Sequence, residues 1–372
     1  MFVTYATSRA NMKFYQLLLL PFSFLYGLCM MIRNGLFDCG WLSSRRFEIP
    51  LISVGNLSYG GTGKTPHIEY IINLLRERFL VATLSRGYGR SSEGFILASK
   101  RSAYKYIGDE PLQYAKKYDD IKVAVNEDRA SGIDELEIRF PKLDVILLDD
   151  AFQHRYVKPG LSILLTDFHR LYTDDYVLPS GTLREFPCGA KRANIIVVTK
   201  TPKIFSPISR RRIIAELKPR KSQQVYFSYI KYCDPVQVTP SSTSLSPFSC
   251  SIMMLFTGIA NDYPIREYLK RHCRELEVLK FPDHHPYTLE DLKIIKARFD
   301  DLPTRKKVIM TTEKDMMRIK TPELSSFIKR LPLFYLPIEV EFHGPDKDHF
   351  DQTILSYVEK NTRNRLNTGI SG

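Results

Sequence analysis

The stretch SYGGTGKT, Ser58 to Thr65, follows the apolar run PLISVGNL and precedes HIEYIINLLRERF, whose apolar residues recur at helical spacing. A strand, a glycine-rich turn and a helix in that order are the context a phosphate-binding loop requires. Gly60, Gly61 and Gly63 let backbone N–H groups approach phosphate oxygens, and the positive end of the helix starting near Thr65 adds to the attraction. Lys64 is placed to reach the β and γ phosphates, and the Thr65 hydroxyl to ligate Mg²⁺. Ser58 stands where the usual pattern has its first glycine. The whole loop, Ser58, Tyr59, Gly60, Gly61, Thr62, Gly63, Lys64 and Thr65, is the expected nucleotide site. VVTKTP (Val197 to Pro202) lies where some P-loop GTPases read the base, but it lacks the full Asn-Lys-x-Asp pattern, so ATP is the expected nucleotide.

Around this loop the chain alternates short apolar runs with helical stretches. FLVATLSRG, IKVAVNEDR, LDVILLDDA, LSILLTDF and ANIIVVTK each end in polar or small residues. Strand, turn and helix, repeated, predict an α/β fold: a P-loop NTPase-like parallel sheet covered by helices, with ligands beyond the carboxyl ends of the strands. At 372 residues the chain is too long for one compact core of typical size. The expected organisation is a membrane-anchor segment at 1–40, a P-loop core at 41–220, a connecting ribbon or linker at 221–250, a smaller α/β lobe at 251–360 and a frayed polar tail at 361–372.

FYQLLLLPFSFLYGLCMMI, Phe14 to Ile32, carries no charge and has basic residues on both flanks. That length suffices to cross or enter a bilayer. A spanning helix, an embedded anchor and a buried core helix all remain open, with Pro21, Ser23 and Gly27 making it a mediocre span. The formal charge of +13 and pI near 9.3 favour an anionic partner. The six cysteines show no CxxC spacing, so reduced thiols are expected rather than a zinc site or a disulfide framework.

Further motifs carry candidate chemistry. VILLDDAFQH places Asp149 and Asp150 at a strand end, as in a Walker B strand that holds the Mg²⁺ shell, although paired aspartates also serve turns. SRGYGR offers Arg86 on a glycine-hinged loop for phosphate contact. In GDEP, Asp109 reads either as a helix N-cap or as a carboxylate able to take a proton from an attacking hydroxyl. Arg184 and Glu185 lie on the irregular LPSGTLREFP loop, where the arginine steadies a phosphate or the two form a surface salt pair. FPDHHPYT puts Asp283, His284 and His285 between a strand and a helix, and adjacent histidines point apart, so a shared metal is not expected. TTEKDMMR brings Lys314 and Asp315 to another strand end.

Taken together, VGNLSYGGTGKTP, SRGYGR, GDEP, LLDDAFQH, LLTDF, LPSGTLREF, RANIIVVTK, FTGIANDYP, FPDHHPYT and TTEKDMMR resemble the tetraacyldisaccharide 4'-kinase family, the lipid A 4'-kinases of Gram-negative bacteria. The motifs run in the family's order from Val54 to Arg318. The resemblance implies ATP-dependent phosphorylation of the 4'-hydroxyl of a tetraacyldisaccharide 1-phosphate at the cytoplasmic face of the inner membrane. It implies Lys64 and Thr65 on ATP and Mg²⁺, Asp109 with His284 as a catalytic pair, Asp149 and Asp150 as Walker B acids, and Arg86, Gln153, His154, Arg184 and Glu185 on substrate. Ser58 is similar to the serine or threonine that the family has at the first loop position, and Phe186 stands where many members have proline. The expected partners are the lipid substrate and a membrane surface, with no nucleic acid and no obligate protein partner. The rival expectation is a membrane-associated P-loop ATPase switch acting on a protein. If His284 comes from the second lobe, catalysis needs the lobes to close.

Overall fold

The computed structural model describes residues 14–238 and 247–369. They fall into two compact units: one holds the chain up to Arg86, Asp120–Ile230 and the chain from Val340, and the other holds Gly87–Asp119 and Lys231–Glu339.

In the first unit, strands Leu51–Asn56, Val145–Asp149, Leu161–Asp167 and Ile195–Thr199 are buried along nearly their whole length, as strands covered on both faces must be. Leu51–Asn56 lies between Val145–Asp149 and Leu161–Asp167, parallel to both. Outward on one side follow Val81–Ser85 and Lys122–Val125, and on the other Ile195–Thr199 and Gln224–Tyr232, with Ile338–Phe342 at the edge. The parallel strands end together, so Asn56, Ser85, Asp149, Asp167 and Thr199 gather at one rim. Leu164, Ile196, Val198 and Phe227, none more than 1% exposed, centre a core on one face. The second unit has its own sheet, Glu275–Lys280, Ile252–Thr257, Lys307–Thr312 and Leu333–Leu336 in parallel, with Val236–Gln237 antiparallel at one edge.

This division differs from the expected boundaries. Gln224–Tyr232, anticipated as part of a connecting ribbon, pairs in parallel with Ile195–Thr199. The run LFYLPIEVEF is split at Pro337, which has no N–H for a ladder: Leu333–Leu336 and Ile338–Phe342 join different sheets. GDEP, placed by sequence in the P-loop core, belongs to the second unit, where helix Asp109–Lys117 packs on helix Glu313–Ile319. The tail is helical to Gly369 instead of frayed from 361. Arg365 secures it by donating to Leu143 O at 2.8 Å and pairing with Glu137 at 3.0 Å. The serine-rich 239–246 and residues 370–372 lie outside the described residues. All six cysteines are free thiols.

The apolar segment is a helix, Phe14–Asp38, about 37 Å long at 1.5 Å per residue. It is not a core helix: only 11% of its most apolar window is buried, and Leu18, Phe22, Phe24 and Leu25 are more than half exposed. Its polar and small residues do the docking. Ser23 Oγ donates to Ser180 Oγ at 2.8 Å, and Asn34 Nδ2 to Glu185 Oε2 at 2.7 Å. Gly27 lies under the Phe186 ring, so a Cβ there would come within 2.5 Å of Phe186 Cζ. Gly27→Ala should therefore cost about 1–3 kcal/mol of stability through overpacking and lower the unfolding midpoint, and in a Phe186→Ala background the same change should cost much less. Thermal unfolding of the single and double variants in detergent checks this.

Candidate active site

The phosphate loop is held from both sides in the first unit. Ser58 bridges Leu183, Tyr59 N–H donates to Thr182 O at 2.6 Å, and Asn56 Nδ2 donates to Thr62 Oγ1 at 2.8 Å. Gly60 and Gly63 take φ of +119° and +89°, the region where a side chain is strained, and Gly63 caps helix Lys64–Leu75. The helix starts one residue before Thr65, so the Lys64 and Thr65 N–H groups sit in its first turn, where donors have no intrahelical partner.

Val145–Asp149 lies beside the loop strand, and the chain turns sharply after it, with Asp150 in the left-handed region at φ 48°. That turn brings Asp150 to Lys64 at 3.6 Å and to Arg184, which grips both carboxylate oxygens at 3.0 and 3.1 Å. Burial alone would raise the Asp150 carboxyl, but Lys64 and Arg184 more than offset it and hold it below its ordinary value. Arg184 also donates to Gln153 Oε1 at 3.3 Å, and Gln153 Nε2 to Asn56 O at 2.8 Å and Glu185 Oε1 at 3.2 Å. Glu185 is 2% exposed, its oxygens taken by Arg192, Asn34 and Gln153, so it braces the loop from inside. Burial and the charge of Arg129 lower His154 to about 4, so its ring is neutral at pH 7. Arg86 is exposed. Thr65, Asp149 and Asp150 offer only oxygen donors, the set a hard divalent cation such as Mg²⁺ takes.

The second unit assembles a different cluster. Asp109 is the first residue of helix Asp109–Lys117 and Gly108 is its cap, so the N-cap reading of Asp109 is set aside. Its Oδ1 accepts only the Glu110 N–H among the described contacts, at 3.1 Å. Its Oδ2 meets Arg318 Nε at 3.1 Å, Arg318 Nη2, His284 Nδ1 at 3.1 Å and Lys314 at 3.8 Å. Lys314 Nζ lies 3.3 Å from His284 Nε2 and Arg318 Nη2 lies 3.2 Å from Nδ1, so both ring nitrogens face cations beside the Asp109 carboxylate. Burial would raise the Asp109 carboxyl; His284, Lys314 and Arg318 together hold it well below the carboxylate range. Glu110 shifts upward through burial and the Asp109 charge, with Lys314 opposing at 2.8 Å. Asp109, Glu110 and His284 bring donor atoms within 4.8 Å of one another, but Lys314 and Arg318 already neutralise the carboxylates.

The paired histidines part as expected. His284, at φ 57°, turns to Asp109, while His285 Nε2 meets Asp291 Oδ2 at 3.0 Å at the start of the next helix. Sequence reasoning stopped at Lys314 and Asp315 and missed Arg318, one turn further along. Arg318 is 2% exposed and also donates to Gly258 O at 3.0 Å and to Asp315 at 3.3 Å. Its three- and four-residue spacing from Asp315 and Lys314 on one helix was the available signal. Arg318→Met should destabilise the chain by about 3–5 kcal/mol, because it leaves a buried carboxylate without its closest cation. Adding Asp109→Asn should cost less than the sum of the two single changes, a coupling that denaturant unfolding of the cycle would measure.

Comparison with known proteins agrees with these motifs over nearly the whole chain. The family described as tetraacyldisaccharide-1-P 4'-kinase matches residues 15–359. A tetraacyldisaccharide 4'-kinase of Bacteroides thetaiotaomicron is 48% identical over 359 residues, covering 93% of this chain and 94% of the relative. That of Flavobacterium johnsoniae is 46% identical over 344 residues, covering 92% and 97%. The crystal structure of LpxK from Aquifex aeolicus in complex with ATP superposes with a TM-score of 0.69 at 27% identity, covering 92% of this chain and 99% of that one. A family match over residues 15–359, with relatives 46–48% identical over more than nine-tenths of the chain, shows that the chain belongs to the tetraacyldisaccharide-1-P 4'-kinase family.

Proposed function

We infer that this chain is a tetraacyldisaccharide 4'-kinase of lipid A biosynthesis, transferring the γ-phosphoryl group of ATP to the 4'-hydroxyl of a tetraacyldisaccharide 1-phosphate. The observation that carries the reaction type is the Asp109–His284 contact at 3.1 Å. Such a carboxylate can take the proton of a sugar hydroxyl, the acceptor that the family match implies.

Residue roles follow from chemistry. Lys64 and the loop N–H groups bind the β and γ phosphates. Thr65, Asp149 and Asp150 would hold Mg²⁺, which would supply positive charge to the phosphate oxygens. Arg184, tied to Asp150, and Arg86 meet the phosphates of donor or acceptor, with Gln153 and His154 shaping the acceptor side and the buried Glu185 holding Gln153 in place. Asp109 takes the hydroxyl proton through Oδ1, while the His284 ring and the two cations keep Oδ2 fixed. A carboxylate so well stabilised is a weak base. In a loose phosphoryl-transfer transition state the hydroxyl proton leaves late, so position counts for more than basicity.

The exposed apolar face of Phe14–Asp38 supports seating in a membrane, and a basic chain suits an anionic surface and a phosphorylated lipid. The cytoplasmic face of the inner membrane, where ATP is available, is the proposed location. In a mixed-micelle assay with γ-labelled ATP and tetraacyldisaccharide 1-phosphate, the wild type should yield the bisphosphorylated lipid. His284→Ala and Asp109→Asn should each lower kcat by about 10²–10⁴-fold. ATP hydrolysis without label in lipid would favour the switch.

A further inference from the structure

Four consecutive carbonyls of the phosphate loop each face a side-chain donor. Asn56 Nδ2 reaches Gly60 O at 3.4 Å, Lys200 Nζ donates to Gly61 O, Thr199 Oγ1 donates to Thr62 O at 2.8 Å, and His67 Nδ1 meets Gly63 O at 2.7 Å. A carbonyl can only accept, so His67 Nδ1 carries the proton, and Nε2 accepts from Ser228 Oγ at 2.9 Å. Burial lowers His67 to about 4, which keeps this neutral tautomer at pH 7. Three of the four donors lie outside the loop and its strand: Lys200 and Thr199 end a strand two places away in the sheet, and His67 sits in the first turn of the helix.

Lys200 is the charged member of the set. Its Nζ also binds Asp167 Oδ2 at 2.7 Å, at the end of the intervening strand, and both side chains are only 21% exposed. Its backbone sits at φ 58°, an uncommon conformation for a lysine that the surroundings must enforce. The lysine thus reaches across one strand to grip the middle of the loop.

The physical consequence concerns phosphate. A loop carbonyl turned toward the anion would repel it, and in a trans peptide the C=O and the following N–H point opposite ways. Holding a carbonyl outward therefore turns an N–H inward. The Thr62 N–H, on the peptide whose carbonyl Lys200 holds, donates to Gly60 O at 3.0 Å.

We propose that Lys200, seated by Asp167, is a positioning residue for nucleotide binding that fixes the Gly61 carbonyl outward, with Thr199 and His67 doing the same for the next two carbonyls. This rests on the reading that the loop binds ATP. The test uses the full-length chain in detergent, wild type, Lys200→Met, Lys200→Arg and Asp167→Asn. ATP affinity is measured by titration calorimetry, and KM is measured for ATP and for the lipid acceptor separately. Lys200→Met should weaken ATP binding about tenfold, the size expected for losing a hydrogen bond from a charged group, with the acceptor KM unchanged. Lys200→Arg should recover most of the loss, and Asp167→Asn should show a smaller one. Undiminished ATP binding in Lys200→Met would overturn the proposal. So would an equal rise in both KM values with a lowered unfolding midpoint, the mark of a merely structural role. A wild-type chain that bound no ATP would overturn the kinase reading and this inference with it.

Discussion

A parallel sheet buried on both faces leaves one rim at which polar chemistry can gather, and the first unit is organised around that constraint. Its apolar strands must point the same way, so their carboxyl ends coincide. The loop after Leu51–Asn56, the aspartates after Val145–Leu148, Asp167 and Lys200 become neighbours without being close in sequence. What decides function at that rim is orientation. Asp150 reaches Lys64 because the chain turns left-handed there, and Lys200 reaches Gly61 through a second left-handed turn.

The second unit solves a different problem, that of keeping a carboxylate charged where little water reaches it. Asp109 is 4% exposed, and isolated burial would favour its neutral form. Arg318, Lys314 and His284 reverse that preference. The arrangement costs desolvation of several ions, so it contributes placement more than stability. Asp315 extends the same logic inward: fully buried, it accepts from Thr257, Gly258, Tyr287, Thr312 and Arg318.

Much of this was legible in one dimension. The loop SYGGTGKT stood out because glycines followed by Lys-Thr between a strand and a helix have few alternative uses, and the aspartate pair gained weight from that strand upstream. Arg318 did not, since an arginine at a helix end usually faces solvent. Glu185 read as a surface or substrate group and is instead enclosed by Arg192, Asn34 and Gln153. Lys200 lies in a stretch whose sequence position suggests base reading, yet its ammonium holds loop backbone.

By itself the sequence determined the parallel α/β class, the glycine-rich turn between strand and helix, the apolar N-terminal helix and the family, because each depends on local periodicity or on spacing within a short segment. Only the tertiary structure decided that GDEP belongs with TTEKDMMR, that Pro337 hands the chain from one sheet to the other, and that the apolar helix stays outside the core. Those outcomes turn on long-range packing and on which buried charges find partners, and neither is written in the spacing of neighbouring residues.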